Sequence, residues 1–146
     1  MEKPGFIVKF YDKAYESKDI EELCKAPVSA ISGISKADAE DLKKAFGIET
    51  VEDLATNKYV NLAQGISCLS ESSGQILDWA FNSSEYKKLL KQPITAMAGV
   101  SWGDAAFLKR AFGIDNVKEL AENKHVAVAQ ATVTLARIMQ FLNAAP

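Results

Sequence analysis

The sequence predicts an all-α protein in which two tandem units of short helices pack into one compact body. The chain matches itself when it is shifted by 66 positions, with 21 identities among the 40 positions that align residues 25–64 with residues 91–130. Each unit also carries the serine, acidic and glycine residues that begin and end short helices. Alternation of apolar and polar residues is confined to a few positions, so a sheet is not favoured.

The composition is typical of a globular protein and excludes wholesale disorder. Hydrophobic residues make up 48% of the 146 positions, charged residues make up 25%, and the net charge is −2. No apolar run approaches the ~20 residues that a membrane helix needs. Cys24 and Cys68 lack metal-binding spacing and suit a reducing compartment. We therefore expect a cytoplasmic chain with no membrane segment, metal, cofactor or small-molecule substrate.

The repeat divides the chain into three parts. Residues 1–9 form an N-terminal arm, and the apolar residues 6–10 suggest a short extended segment that is either fixed to the body or swapped into a neighbour. Residues 10–74 form the first repeat and residues 75–146 form the second. Since a single core below ~70–80 residues supplies little stability, we expect the two repeats to pack together as a pseudo-twofold body.

The helices of each repeat can be placed by their end signals. A serine, threonine or asparagine followed three residues later by an acid predicts a helix start. This pattern occurs four times, at Ser35 with Asp38, Thr50 with Asp53, Ser101 with Asp104, and Asn116 with Glu119. Glycines in the left-handed conformation are predicted to end helices at Gly33, Gly47, Gly99 and Gly113.

The last helix of each repeat is predicted from apolar periodicity. Asn57 and Asn123 are expected to end the helix before it in the left-handed conformation. The apolar positions of the first copy are Val60, Ala63, Ile66 and Leu69. Those of the second are Val126, Ala129, Val133, Leu135, Ile138, Met139 and Leu142.

Each repeat resembles the helix-hairpin-helix (SAM-like) superfamily, and in particular the unit found in the C-terminal domain of the RNA polymerase alpha subunit. The hairpin pattern stands at residues 31–35 and 97–101, with Ala39, Leu42, Ala105 and Leu108 after it. Residues 46–55 and 112–121 are similar to the second half of such folds. The superfamily includes both DNA-binding and protein-interaction modules.

The resemblance implies a possible phosphate contact at a hairpin, because backbone N–H groups at a helix start attract anions. In the second repeat the donors would be Gly99, Val100 and Ser101, supported by Lys109 and Arg110; in the first they would be Gly33, Ile34 and Ser35, supported by Lys43 and Lys44. Residues 1–74 carry a net charge of −4 and residues 75–146 carry +2, which favours the second repeat for DNA. Ser35 and Ser101 replace the usual second glycine, however, and favour a capping role instead.

Differences between the repeats indicate an interaction face. Lys36, Glu40 and Asp41 of the first repeat correspond to Trp102, Ala106 and Phe107 of the second. Because the first repeat fills these positions with charge, the fold should not require them to be buried. Trp and Phe are frequent interface anchors, so the face is predicted to meet the other repeat, a second copy or a partner protein. Trp79 is predicted to pack at the junction between the repeats.

Catalysis is not favoured. His125 is the one histidine, and its counterpart in the first repeat is Tyr59, which favours a half-buried aromatic-like role. No nucleophile–base pair and no glycine-rich phosphate loop is evident. The sequence therefore predicts a non-catalytic protein-interaction or scaffolding module, self-association included. The alternative is sequence-nonspecific DNA binding through the second hairpin.

Overall fold

The structure is a computed structural model that describes residues 5–76 and 83–144, and the side chains of residues 7–71 and 85–143. The α-helices are α1 (Ile20–Lys25), α2 (Lys36–Phe46), α3 (Val51–Thr56), α4 (Lys58–Ile76), α5 (Ser83–Leu90), α6 (Trp102–Phe112), α7 (Val117–Ala121) and α8 (Lys124–Ala144). Short 3₁₀ segments occupy Gly5–Phe10, Lys13–Tyr15, Val28–Ala30 and Ile94–Ala96. The described ranges contain isolated bridges but no strand, and the predicted all-α class is confirmed.

The predicted helix starts are confirmed at all four capping positions. At α2 the Asp38 amide donates to Ser35 Oγ over 3.0 Å, and the Ser35 amide donates back to the Asp38 carboxylate over 3.1 Å. The same reciprocal pair of bonds begins α3, α6 and α7. These boxes satisfy backbone N–H groups that would otherwise lack partners at a helix start.

The predicted helix ends are confirmed in part. Gly47 and Gly113 end α2 and α6 in the left-handed conformation, with φ of +70° and +69°. Gly33 and Gly99 also have positive φ, but each lies in a turn beyond a 3₁₀ segment and does not itself cap a helix.

The prediction that Asn57 ends a helix in the left-handed conformation is wrong, and the same prediction fails at Asn123. Asn57 has a φ of −60° and a ψ of 133°, and its side-chain oxygen accepts hydrogen bonds from the Tyr59 and Val60 amides. Asn123 accepts equivalent bonds at the start of α8. Both asparagines begin the next helix, because their side chains satisfy N–H groups there.

The N-terminal segment is helical rather than extended, which corrects the prediction for residues 6–10. The 3₁₀ helix Gly5–Phe10 is fixed to the body: Ile7 is buried, and the Ser32 amide donates to the Phe10 carbonyl over 2.8 Å. Tyr11 follows it, and its buried hydroxyl lies 2.6 Å from the Thr132 hydroxyl of α8. Residues 1–4 and Trp79 lie outside the described residues.

The two long helices are exchanged between the halves of the chain. Helix α4 packs on α5 and α7, whereas α8 packs on α1 and α3. Helix α2 packs on α6. At the middle of this arrangement Gln64 and Gln130, which are 66 positions apart, exchange two side-chain hydrogen bonds of 2.9 and 2.8 Å. The core of each half is therefore completed by a helix from the other half.

Candidate functional site

The structure separates the residues of the predicted interaction face, so that only some of them are exposed. Trp102, the first residue of α6, is 80% exposed, and Ala106 is also exposed. Phe107 is half-buried where α6 packs on α2. Its ring lies 5.8 Å from Lys44 Nζ and 5.4 Å from the Arg110 guanidinium carbon. The aromatic ring therefore serves the contact between the halves, while Trp102 projects into solvent.

Asp41, the counterpart of Phe107, is not the solvent-facing charge that the repeat comparison assumed. It is 5% exposed, and Arg110 donates to both carboxylate oxygens, from Nε over 2.9 Å and from Nη2 over 2.6 Å. This hydrogen-bonded guanidinium holds the pKa of Asp41 below its usual value. The Asp41 carboxylate is thus buried and paired with a largely exposed guanidinium, and the inference that this position need not be buried is wrong.

This ion pair should make stability depend on acid. Because the pKa of Asp41 is lowered by folding, the pair stabilises the protein above the ordinary aspartate pKa and the contribution is lost as pH falls through the folded value. We expect Asp41→Asn to be destabilised relative to the wild type at pH 7, and this difference to shrink below about pH 4. Urea denaturation across pH measures it.

The control is Asp115→Asn. Asp115 pairs with Lys109 over 3.0 Å, but both side chains are mostly exposed. Exposed pairs contribute little, so this variant should match the wild type at either pH. Equal losses in the two variants at pH 7 would contradict a special role for Asp41.

Two of the three candidate phosphate donors of the second hairpin, Val100 and Ser101, have partners within the chain. The Ser101 amide donates to the Asp104 carboxylate over 3.0 Å, so a carboxylate occupies the place of an anion at this helix start. The Val100 amide donates to the Met97 carbonyl over 3.1 Å. At Gly99 a Cβ would lie 2.5 Å from the Tyr59 hydroxyl, which shows how closely α4 approaches this turn.

The first hairpin is closed in the same way by α8. A Cβ on Gly33 would lie 3.0 Å from the His125 ring. Among the cations predicted to support a phosphate, Arg110 pairs with the buried Asp41, whereas Lys43 and Lys109 make exposed pairs with Glu49 and Asp115 and Lys44 lies over the Phe107 ring. The turns at Gly33 and Gly99 therefore lie against His125 of α8 and Tyr59 of α4.

A surface of exposed apolar residues lies on α8 and was missed in the sequence. We call it the α8 stripe; it comprises Ala127, Val128, Ala131, Thr134, Leu135, Ile138, Phe141 and Leu142. Phe141 is 75% exposed, Leu142 59% and Ile138 48%. Apolar surface exposed in such a continuous patch marks an interaction site more often than scattered single residues do.

The first part of the α8 stripe forms one wall of an open groove of about 860 Å³. The opposite wall is the N-terminal 3₁₀ helix, with Ile7 and Phe10, together with Ile31. Phe10 is 45% exposed and faces the groove. Lys9, Lys124 and His125 supply the titratable side chains of its lining, which contains no carboxylate.

His125 and the cysteines give no sign of activation for catalysis. His125 is half-buried with its ring 5.0 Å from the Phe112 ring, and burial lowers its pKa. Burial raises the pKa of the Cys24 thiol, which disfavours the reactive thiolate. Cys68 is exposed. Over the described ranges, no group of three His, Cys, Asp or Glu residues is placed to hold a metal.

Comparison with known proteins finds no matching family model, no matching curated protein and no matching solved structure. Among the described helices none is both long enough and apolar enough to cross a membrane.

Proposed function

We propose that this protein is a non-catalytic protein-interaction module that binds an apolar helix of its partner along the α8 stripe. The observation that carries the proposal is the exposure of Ile138, Phe141 and Leu142 on one face of α8, in line with the groove. We further propose that the two halves are tandem helix-hairpin-helix-like repeats, whose hairpins support packing rather than phosphate contact.

The repeat supports a functional origin for this stripe. The offset of 66 places Ser72 and Gln75 of α4 where α8 has Ile138 and Phe141. The buried positions agree between the two helices, with Val60 and Ala63 corresponding to Val126 and Ala129. The two helices thus share their buried positions, whereas their sequences differ at positions 72 and 75, where α8 has Ile138 and Phe141.

The shape and charge of the site favour a helix as the bound element. The small residues at positions 127 and 131 allow the backbone of a second helix to approach α8 closely. The groove between α8 and the 3₁₀ helix is open along its length and can hold such a helix. A partner helix would bury its apolar i, i+3, i+4 face there, which is a recurring recognition mode. The lining carries no carboxylate, so nothing in it pairs with a basic partner.

Photo-crosslinking tests the surface directly. A photoreactive amino acid placed at Thr134, which is exposed in the α8 stripe, should give discrete protein adducts in cells that express the chain. Glu122, which is exposed on the segment between α7 and α8, is the control position and should give none. Leu135→Glu in the same chain should remove the adducts from Thr134.

A probe at Trp102 separates the two candidate surfaces. Adducts from Trp102 but not from Thr134 would place the interaction on the face of α6 that carries Trp102 and Ala106, which we call the α6 face, and would overturn the surface proposed here. The absence of adducts at both Trp102 and Thr134 would overturn protein interaction through either surface. The Val100 and Ser101 amides of the second hairpin already donate within the chain, which favours protein interaction over DNA binding.

A further inference from the structure

We propose that the partner helix is α8 of a second copy, which lies antiparallel to the first across the α8 stripe. This inference rests on the proposed function and adds the identity and direction of the bound helix. It is argued from the order of side-chain sizes along α8, from the charge of that helix and from the extent of the exposed surface.

Side-chain size is ordered along the α8 stripe. The amino-terminal part presents Ala127, Val128 and Ala131, whereas the carboxyl-terminal part presents Ile138, Phe141 and Leu142. Suppose that two copies of α8 lie antiparallel and that the twofold axis passes between Thr134 and Leu135. Every small residue of one stripe then contacts a large residue of the other copy.

The pairs defined by this centre are Ala127 with Leu142, Val128 with Phe141 and Ala131 with Ile138. A twofold axis makes each contact twice, so one stripe supplies both halves of a self-complementary interface. A parallel pair would place Phe141 against Phe141 and leave Ala127 and Ala131 facing each other across a gap. Tight packing therefore selects the antiparallel direction.

The charged residues of α8 also favour the antiparallel direction. Helix α8 carries no acidic residue, and its basic residues are Lys124, His125 and Arg137. None of these three belongs to the α8 stripe, although Lys124 and His125 line the groove beside it together with Lys9. Lys124 stands at the helix start, and the antiparallel direction sets the two copies of it at opposite ends of the interface. A parallel pair would place them side by side.

The surface is large enough for a modest dimer. The α8 stripe spans 16 positions, or about 24 Å of helix. Phe141 at 75% exposure and Phe10 at 45% present roughly 200 Å² of aromatic surface per copy. Ile138, Leu142 and the exposed small residues extend this surface toward the ~800 Å² per partner of a standard interface. The 3₁₀ helix Gly5–Phe10 would then contact the partner's α8 from the side.

The first test is the mass of the purified full-length chain in solution. Sedimentation velocity over a concentration series should show a reversible dimer that persists at high salt, because the interface is apolar. Ala131→Arg and Phe141→Arg should each weaken dimerisation by at least about 100-fold. Because both positions are exposed, thermal melts of the monomers should show that the fold is kept; Trp102→Ala is the matched control and should remain dimeric.

The second test is the direction of pairing, by disulfide cross-linking in a Cys68→Ser background. Ala131→Cys together with Ile138→Cys should form a covalent dimer on mild oxidation, since these positions meet across the antiparallel interface. Ala131→Cys alone should not. Efficient cross-linking of the single variant would indicate a parallel pair and overturn the direction.

A wild-type chain that stays monomeric to several hundred micromolar would overturn self-pairing altogether. In that event discrete adducts from Thr134 to a different protein would leave the proposed function in place. Failure of self-association is thus distinguished from failure of the interaction surface. A dimer that persists in both arginine variants but dissociates in Trp102→Ala would overturn the α8 interface in favour of the α6 face.

Discussion

Replacing Gly99 with alanine is expected to lower the free energy of unfolding by about 2–4 kcal/mol, combining left-handed backbone strain with a steric conflict. Gly99 has a φ of +92°, and an added Cβ would lie 2.5 Å from the Tyr59 hydroxyl. Tyr59 cannot easily withdraw, because its ring packs against Phe46 with centroids 4.6 Å apart. Urea denaturation of Gly99→Ala measures the loss.

Gly113 provides the matched control. It has a φ of +69°, but no atom lies within 4 Å of the position that a Cβ would take. Gly113→Ala should therefore show only the left-handed strain, about 1–2 kcal/mol. Tyr59→Phe combined with Gly99→Ala should recover part of the loss, since it removes the conflicting oxygen. Equal costs at Gly99 and Gly113 would contradict the close approach of α4 to the hairpin.

Features determined by neighbouring residues were predictable from the sequence. The four capping boxes and the left-handed Gly47 and Gly113 depend on side chains within a few positions of the backbone groups that they satisfy. The error at Asn57 is of the same local kind. An asparagine between two helical segments can end the first or begin the second, and here its contacts with two amides of α4 decide.

Features determined by distant residues were not predictable in this way. Asp41 and Arg110 lie 69 positions apart, and a carboxylate on a helix surface gives no local sign that it will be buried. The repeat did contain a usable signal. Phe107 and Lys44 are the counterparts of Asp41 and Arg110, so a twofold arrangement that joins one pair also joins the other, as the 5.8 Å contact between Lys44 and Phe107 shows.

The α8 stripe was missed because α8 is apolar on more than one side. Val126, Ala129, Val133 and Ala136 are buried against α1 and α3, whereas Ile138, Phe141 and Leu142 face outward. Periodicity alone counts both sets as core positions. Only the packing of α4 and α8 on the other helices shows which face of α8 is covered and which is exposed.

The packing of α4 and α8 on the opposite halves of the chain leads to the prediction with the largest expected effect, which is loss of folding. If the chain is expressed as two separate pieces, divided between residues 76 and 83, neither piece should fold as a monomer. The main helix contacts join α1 and α3 to α8, α4 to α5 and α7, and α2 to α6, and every one of them crosses this division. A piece of about 70 residues that loses these contacts falls below the ~3–5 kcal/mol that such a small core supplies.

Circular dichroism of each piece at low micromolar concentration should therefore show little helix, and mixing should restore it with one-to-one stoichiometry. The control is the full chain with a protease site inserted between residues 76 and 83 and cleaved after folding. This nicked chain should keep its helix content, because the interhelical contacts remain even though the connection is cut. Cooperative unfolding of either piece as a monomer would show instead that each half carries its own complete core. Tyr59 of α4 lies against Gly99, and His125 of α8 lies against Gly33. A chain in which α4 and α8 no longer pack on the opposite halves should therefore lose both of these contacts.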